Sequence, residues 1–358
     1  MLTTTTWLHT FTNYSNLNNI NSSGHQILKI FQPVDTKKIR LQLNNLYDEV
    51  PLRINHLEIS NSHQNKASIT LNGKTEFAIE PRLVQWSDWI DFNSVANEFL
   101  TIKITSPTQT IHSLGMTISN DLIQTEVQGP DSKYFYGVSG IQVQTETHHK
   151  RLAFFGDSLT NQGNFSAPLA VNLENQFHIM TANYGISGNR ILHPGHSTSQ
   201  WSKSFGEAGL TRFDHMLVDY QPDIVIFMEG INDLLHPGTG SPIEELPTAD
   251  AIIKALTILK NKCLRHGITF IPMTITPAWG NINDSLPAWN EQKENLRLAI
   301  NQAILKMPHS IDLASLTSNE ENHLRNIFDC GDHVHFSISG GFIVAHYIQE
   351  QLIRRKII

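Results

Sequence analysis

Between about Lys37 and Gln144, apolar and polar residues alternate over short runs: Ile39-Arg40-Leu41-Gln42-Leu43, Leu52-Arg53-Ile54-Asn55-His56-Leu57-Glu58-Ile59 and Leu100-Thr101-Ile102-Lys103-Ile104. Turn-forming pairs separate them, at Asn44-Asn45, Asn72-Gly73 and Ser106-Pro107. A strand sends successive side chains to opposite faces, so period-two alternation predicts antiparallel strands with one buried face. No long helical pattern interrupts the series, which predicts an all-β sandwich or jelly roll.

After Lys150 the rhythm changes. Short, wholly apolar strands are predicted at Leu152–Phe155, Ile179–Asn183, Ile224–Met228, Ile268–Ile275 and Ile311–Leu313, alternating with longer helical patterns. The helix predicted over Ala249–His266 carries Ile252, Ile253, Leu256, Leu259 and Leu264, and stops at Gly267. Glycine suits the left-handed residue that ends many helices. Strands that are apolar throughout, each followed by a helix, imply a parallel sheet covered on both faces. The expected organisation is therefore a β-rich accessory domain over 1–148 and an α/β domain over 149–358.

Ligands of such sheets bind at the carboxyl ends of the strands, and small polar residues crowd there. Gly156-Asp157-Ser158-Leu159-Thr160 follows the first predicted strand, Tyr184-Gly185-Ile186-Ser187-Gly188-Asn189-Arg190 the second and Glu229-Gly230-Ile231-Asn232-Asp233 the third. Asp332-His333-Val334-His335 precedes a last helix expected to begin around Ser337 or Ser339. Acyl transfer needs these residue types. A serine hydroxyl becomes a useful nucleophile when a histidine takes its proton, and a carboxylate on the other ring nitrogen fixes the tautomer. Asp332 and His335 are three residues apart, close enough for one turn to present both in the same direction. The oxyanion of the tetrahedral intermediate needs preorganised donors. The backbone N–H groups of Ser158 and Gly188 and the side-chain amide of Asn232 are candidates.

Gly156-Asp157-Ser158-Leu159, Gly188 in its Asn-Tyr-Gly-Ile-Ser-Gly-Asn-Arg setting, Gly230-x-Asn232-Asp233 and Asp332-x-x-His335 together resemble the four motif blocks of the GDSL, or SGNH, hydrolases, in the family's order. The surroundings resemble a two-domain bacterial branch of acylhydrolases and arylesterases with a β-rich N-terminal domain, some linked to xylan breakdown. The resemblance implies a flavodoxin-like three-layer α/β/α domain, with Ser158 as nucleophile, His335 as general base and Asp332 orienting it. It implies an oxyanion hole of Ser158 N–H, Gly188 N–H and Asn232. It also implies a cofactor-free serine esterase acting on a small-molecule ester, short-chain acyl esters and O-acetyl groups on carbohydrate included. The family usually has proline after the histidine, where this chain has Phe336.

Composition narrows the field. The 358 residues are 40% hydrophobic and 16% charged, an ordinary globular balance. Lys+Arg 26 against Asp+Glu 33 gives a net charge of −7, with no clustered positive footprint for nucleic acid. Two cysteines, Cys263 and Cys330, cannot make a disulfide framework. No run approaches the length of a membrane span, and the first Lys or Arg is Lys29, unlike the basic start of a secretory signal. The chain reads as cytoplasmic.

Three competing readings stand beside the esterase. The 18 histidines and the His333-x-His335 pair raise a metal-dependent hydrolase with Asp332, His333 and His335. However, an extended H-x-H points its side chains apart, and no metal is expected. An inactive carbohydrate-binding relative is the second. A lipase or thioesterase on longer acyl chains is the third. Asp233 and Asp157 read as structural acceptors, and Cys330 as a bystander. Trp201, Phe205, Trp279 and Trp289 read as pocket-lining or core-edge residues, and Arg190 and His193 as substrate-contact candidates.

Overall fold

The computed structural model describes residues 1–17, 24–118, 123–125 (backbone alone), 133–195, 200–283 and 285–358. It divides into two compact units, Met1–Lys150 with Ala170–Ala182, and Arg151–Leu169 with Asn183–Ile358.

The first unit is built of antiparallel strands: β1 (Leu2–His9), β2 (His25–Gln32), β3 (Thr36–Asn45), β4 (Leu52–Ile54), β5 (His56–Ser60), β6 (Leu83–Trp86), β7 (Ile90–Ser94), β8 (Glu98–Thr105) and β9 (Tyr134–Thr145). One sheet runs β7-β3-β9-β1, with β6 also against β3. The other centres on β2-β8-β5, flanked by Ile123–Thr125 and Lys66–Ser68. Alternation decides which residues enter the core. Ile39, Leu41, Leu43, Ile141, Val143, Leu28, Ile30, Leu100, Ile102 and Ile104 are fully buried. The intervening Arg40, Gln42, Thr101 and Lys103 stay partly exposed. Each buried aliphatic side chain contributes roughly 1.5–3 kcal/mol.

Two features differ from the sequence expectation. The run from Leu52 to Ile59 is two strands in different sheets, because its apolar positions change parity across Asn55-His56, from Leu52 and Ile54 to Leu57 and Ile59. Strands also begin well before Lys37. In β1 the consecutive residues Thr4, Thr5, Thr6, Trp7 and Leu8 are all buried. A strand buried on both faces shows no alternation, and its β-branched threonines are the remaining signal.

The second unit holds β10 (Arg151–Gly156), α1 (Ser158–Asn161), the start of α2 (Ser166–Phe177), the end of β11 (Met180–Gly185), α3 (Gly209–Asp219), β12 (Ile224–Met228), α4 (Ile231–Leu235), α5 (Ala249–Arg265), β13 (Thr269–Pro272), α6 (Glu291–Ile304), α7 (Leu313–Thr317) and α8 (Ile338–Arg354). Strand β12 runs parallel to β10 on one side and β13 on the other, and all five of its residues are buried. Helix α5 is capped by Thr248, whose hydroxyl accepts from Ala251 N–H, and ends before Gly267 at φ 70°. Ser337, not Ser339, caps α8, accepting from Gly340 N–H at 2.9 Å.

The fifth predicted strand is a correction. Ile311 makes a single parallel bridge with Met273, and Leu313 already opens α7. Asp312 between them caps that helix by accepting from Ser315 N–H at 3.1 Å, and an N-cap turns the chain out of extended geometry. Strand β13 is likewise shorter than the predicted run, ending at Pro272.

Candidate active site

The three parallel-strand tips and the segment before α8 bring the predicted residues together. Strand β10 ends at Gly156, where a Cβ would fall 2.2 Å from Met228 O and 2.3 Å from Thr160 Oγ1. Only glycine lets β10 and β12 stay this close where α1 begins. Asp157 caps α1, accepting from Leu159 N–H at 3.0 Å. Ser158 is the first helical residue, so its own N–H has no acceptor within the helix.

His335 Nε2 lies 2.7 Å from Ser158 Oγ, and His335 Nδ1 lies 2.5 Å from Asp332 Oδ2. The other carboxylate oxygen, Asp332 Oδ1, accepts from the N–H groups of Val334 and His335 at 2.9 and 2.8 Å. Burial acts to raise the Asp332 pKa, but the His335 hydrogen bond, its charge and those two N–H groups outweigh burial and hold the carboxyl well below the usual range. Asp332 is therefore favoured in its ionised form. Both nitrogens of His335 are engaged in this relay, and the neighbouring His333 pairs instead with Asp329 at 2.8 Å. The carboxylates and thiol of Asp329, Cys330 and Asp332 place ligand atoms within 4.8 Å of one another.

Phe336 takes the position after the histidine. It is buried, its ring meets Phe165 and Phe328 edge-on with centroids 6.4 and 6.5 Å away, and its carbonyl accepts from Asn164 Nδ2 at 2.6 Å. Aromatic packing supplies the rigidity that a proline ring would give by fixing φ.

Gly188 has φ 77°, a left-handed backbone that glycine adopts without strain. Asn232 donates one amide N–H to Asn189 O at 3.0 Å. A primary amide carries two, so the second remains available. Asp233 accepts from Ile191 and Leu192 N–H at 2.8 and 3.0 Å, which makes it the loop-holding acceptor its position suggested. Its burial raises its pKa to about 6 against those hydrogen bonds.

Sequence reasoning missed the residue beneath these tips. The Arg212 guanidinium, on α3, donates to Asn189 Oδ1 at 2.5 Å, Tyr184 O at 2.6 Å and Gly156 O at 2.7 Å, and approaches Glu229 Oε1 at 3.4 Å. It sits 3.8 Å from the Phe155 ring centroid. One buried cation thus ties the blocks carrying Ser158, Gly188 and Asn232 to each other. Burial pushes Glu229 up to about 7 despite the pull of Arg212, and burial with the neighbouring Glu229 raises Asp157 well above its ordinary value. The available signal was an arginine on an amphipathic helix, which by spacing alone reads as surface.

Other candidates sort differently. Arg190 does not face a substrate: it is 1% exposed and bound to Glu245 at 2.6 Å, Ser241 at 3.2 Å and Pro194 O at 2.8 Å. With both terminal nitrogens taken by partners of the loop, this guanidinium serves the loop. Trp289 is core, donating to Glu294 at 3.1 Å. Trp279 is partly exposed and stacks on His323, centroids 6.1 Å apart. His193 and Trp201 are partly exposed, and residues 196–199 of the loop joining them lie outside the described residues. Among the described residues no helix is long and apolar enough to cross a membrane.

The chain matches the GDSL-like lipase/acylhydrolase family over residues 154–340, just over half its length. Similar solved structures include a GDSL-like lipase from Bacteroides thetaiotaomicron, 17% identical, covering 57% of this chain and 89% of that one with a TM-score of 0.42. A catalytic mutant of an acetylxylan esterase from Geobacillus stearothermophilus is 18% identical, covering 58% and 96% with a TM-score of 0.43. Another acetyl xylan esterase is 23% identical, covering 56% and 98% with a TM-score of 0.41. No curated protein matches the chain.

Proposed function

The chain belongs to the GDSL-like lipase/acylhydrolase family and is an ester hydrolase, and from that premise we propose that it cleaves small carboxylic esters by a Ser158–His335–Asp332 relay without a cofactor. The observation that carries this reading is the unbroken relay of 2.7 and 2.5 Å hydrogen bonds from Ser158 Oγ through His335 to Asp332.

Ser158 Oγ attacks the acyl carbonyl carbon as its proton passes to His335 Nε2. The carbonyl electron pair moves onto oxygen, and that oxyanion is held by the N–H groups of Ser158 and Gly188 and the free amide N–H of Asn232. Collapse breaks the bond to the alcohol oxygen, which takes the proton from His335. Water then repeats the sequence on the acyl-enzyme: it gives a proton to His335, the acid leaves, and Ser158 recovers its hydrogen. Asp332 stays ionised throughout and steadies the imidazolium. Asn189 and Arg212 are positioning residues in this scheme, since they touch the hole's backbone and not the substrate. The chemistry belongs to the domain from 149 onward, and 1–148 is accessory to it. Short-chain acyl esters are the proposed substrates, O-acetyl groups on carbohydrate among them.

The test is hydrolysis of p-nitrophenyl acetate, butyrate and octanoate by the wild type and Ser158→Ala, with a serine-directed phosphonate. Ser158→Ala is expected to lose about 10⁴-fold or more in turnover, because nucleophile and base act as a unit, and to lose labelling. A wild type that is neither active nor labelled sinks the proposal.

A further inference from the structure

We propose that Phe205, backed by His236, is the wall that limits acyl-chain length at this site, so that the enzyme is selective for short acyl groups. This rests on the reading of Ser158 as nucleophile and Gly188 as oxyanion donor. Phe205 lies directly on Gly188: a Cβ there would fall 2.1 Å from Phe205 Cδ1 and 2.3 Å from its Cε1. The Phe205 ring in turn meets the His236 imidazole, with centroids 5.0 Å apart and planes tilted by 35°. His236 closes α4, one turn beyond Asn232, and donates its N–H to Asn232 O at 3.1 Å. One proposed oxyanion donor, Gly188, thus lies against the Phe205 ring, and the helical turn of another, Asn232, carries the residue that backs it.

The backbone that carries both rings is held in place. Asn189 Nδ2 donates to Phe205 O at 2.6 Å and to Glu207 O at 2.7 Å, and Gly195 N–H donates to Gly206 O at 2.7 Å, which pins the backbone around Phe205. Lys293 Nζ, buried on α6, donates to Leu235 O at 3.3 Å, Pro237 O at 2.9 Å and Ala288 O at 2.8 Å, clamping the chain on both sides of His236. Burial, with the positive charges of Arg190 and Lys293, holds the His236 pKa down to about 3, so its ring is neutral wherever the enzyme works. The surface is neutral, aromatic and fixed, unlike the flexible surfaces that accommodate varied ligands.

The direction of the acyl chain follows from the reaction. The departing alcohol must receive its proton from His335 Nε2, so the alcohol half of the ester sits beside that ring. With Oγ and the oxyanion taking two further corners of the tetrahedron, the acyl substituent occupies the remaining one, away from His335 and along the walls of the hole. In this proposal the Phe205 ring against Gly188 stands at that corner and sets how many carbons it admits. A pocket discriminates by about 10-fold or more for each methylene it does or does not accept.

The experiment compares kcat/KM for p-nitrophenyl acetate, butyrate and octanoate in wild type, Phe205→Ala and Phe205→Leu, with active sites counted by phosphonate titration. The wild type is expected to favour acetate. Phe205→Ala is expected to raise the octanoate-to-acetate ratio about 10-fold or more, and Phe205→Leu by less. Should the alanine variant not fold, the leucine variant decides alone. A ratio unchanged in folded, phosphonate-labelled variants overturns the wall and leaves the ester hydrolase standing, and so does a wild type that favours octanoate. Absence of both labelling and turnover in the wild type overturns the nucleophile, and the wall falls with it.

Discussion

Both units bury polar side chains, and they put them to different use. In the β unit such groups complete the backbone. Gln26 donates to Tyr136 O at 3.1 Å and accepts from Tyr136 N–H at 2.9 Å, while Asp48 accepts from the N–H groups of His112 and Ser113 at 2.8 and 2.9 Å. Each satisfies main-chain groups that the ladders leave over. In the α/β unit Asp157, Glu229, Asp233 and Arg212 collect under one set of strand tips, and burial raises all three carboxyls. Burying several charges in one place costs free energy that hydrophobic residues would not. Polar burial therefore marks a site when it converges on a few loops, and marks ordinary structure when it is dispersed.

The sharpest test of that contrast is Asp332→Asn, which keeps the shape but no longer holds His335 in the right tautomer. Turnover should fall about 10⁴-fold with little change in thermal midpoint; a loss below tenfold would remove Asp332 from the relay. Asn232→Ala comes next, with about 10²–10³ expected in kcat if its second N–H reaches the oxyanion. A two- or three-fold loss would leave Asn232 as a loop residue alone. In the β unit the expected effect moves from rate to stability. Leu41→Ala, at a fully buried position, should cost about 2–5 kcal/mol in chemical denaturation while kcat per folded molecule is unchanged. A matching fall in kcat would break the division of labour.

An effect confined to pH dependence concerns Glu174, buried in α2 and accepting from Thr181 Oγ1 at 2.6 Å. Burial pushes its pKa up to about 8 from the ordinary 4.5, so the folded state holds this proton more tightly than the unfolded chain. Its contribution is fully present below about 4.5 and is lost as pH rises towards about 8, with a slope of at most about 1.4 kcal/mol per pH unit. Glu174→Gln should flatten that slope in urea titrations run across the window, and an unaltered slope would assign it to other groups.

Much of this was legible in the chain because the signals are local. Alternation at Ile39–Leu43 and Leu100–Ile104 placed the β-unit core. Apolar strands followed by Gly156, Gly188 and Gly230 placed the loops, and Asp332-x-x-His335 has a spacing that one turn satisfies. Elements whose fate depends on distant partners were not legible. Thr4–Thr6 is a strand because neighbours bury both its faces, and Ile311 is a lone bridge because Asp312 caps a helix instead.

The sequence by itself determined the order of elements, the two rhythms and the residue types at each strand tip, since periodicity and turn chemistry act over a few residues. Only the tertiary structure decided that Arg190 is sequestered by Glu245, that Arg212 rather than any motif residue joins three loops, and that Phe205 rests on Gly188. Those outcomes hinge on residues 17 to 56 positions apart in the chain meeting within a few ångströms. Long polar side chains find partners through space, where no local period can announce them.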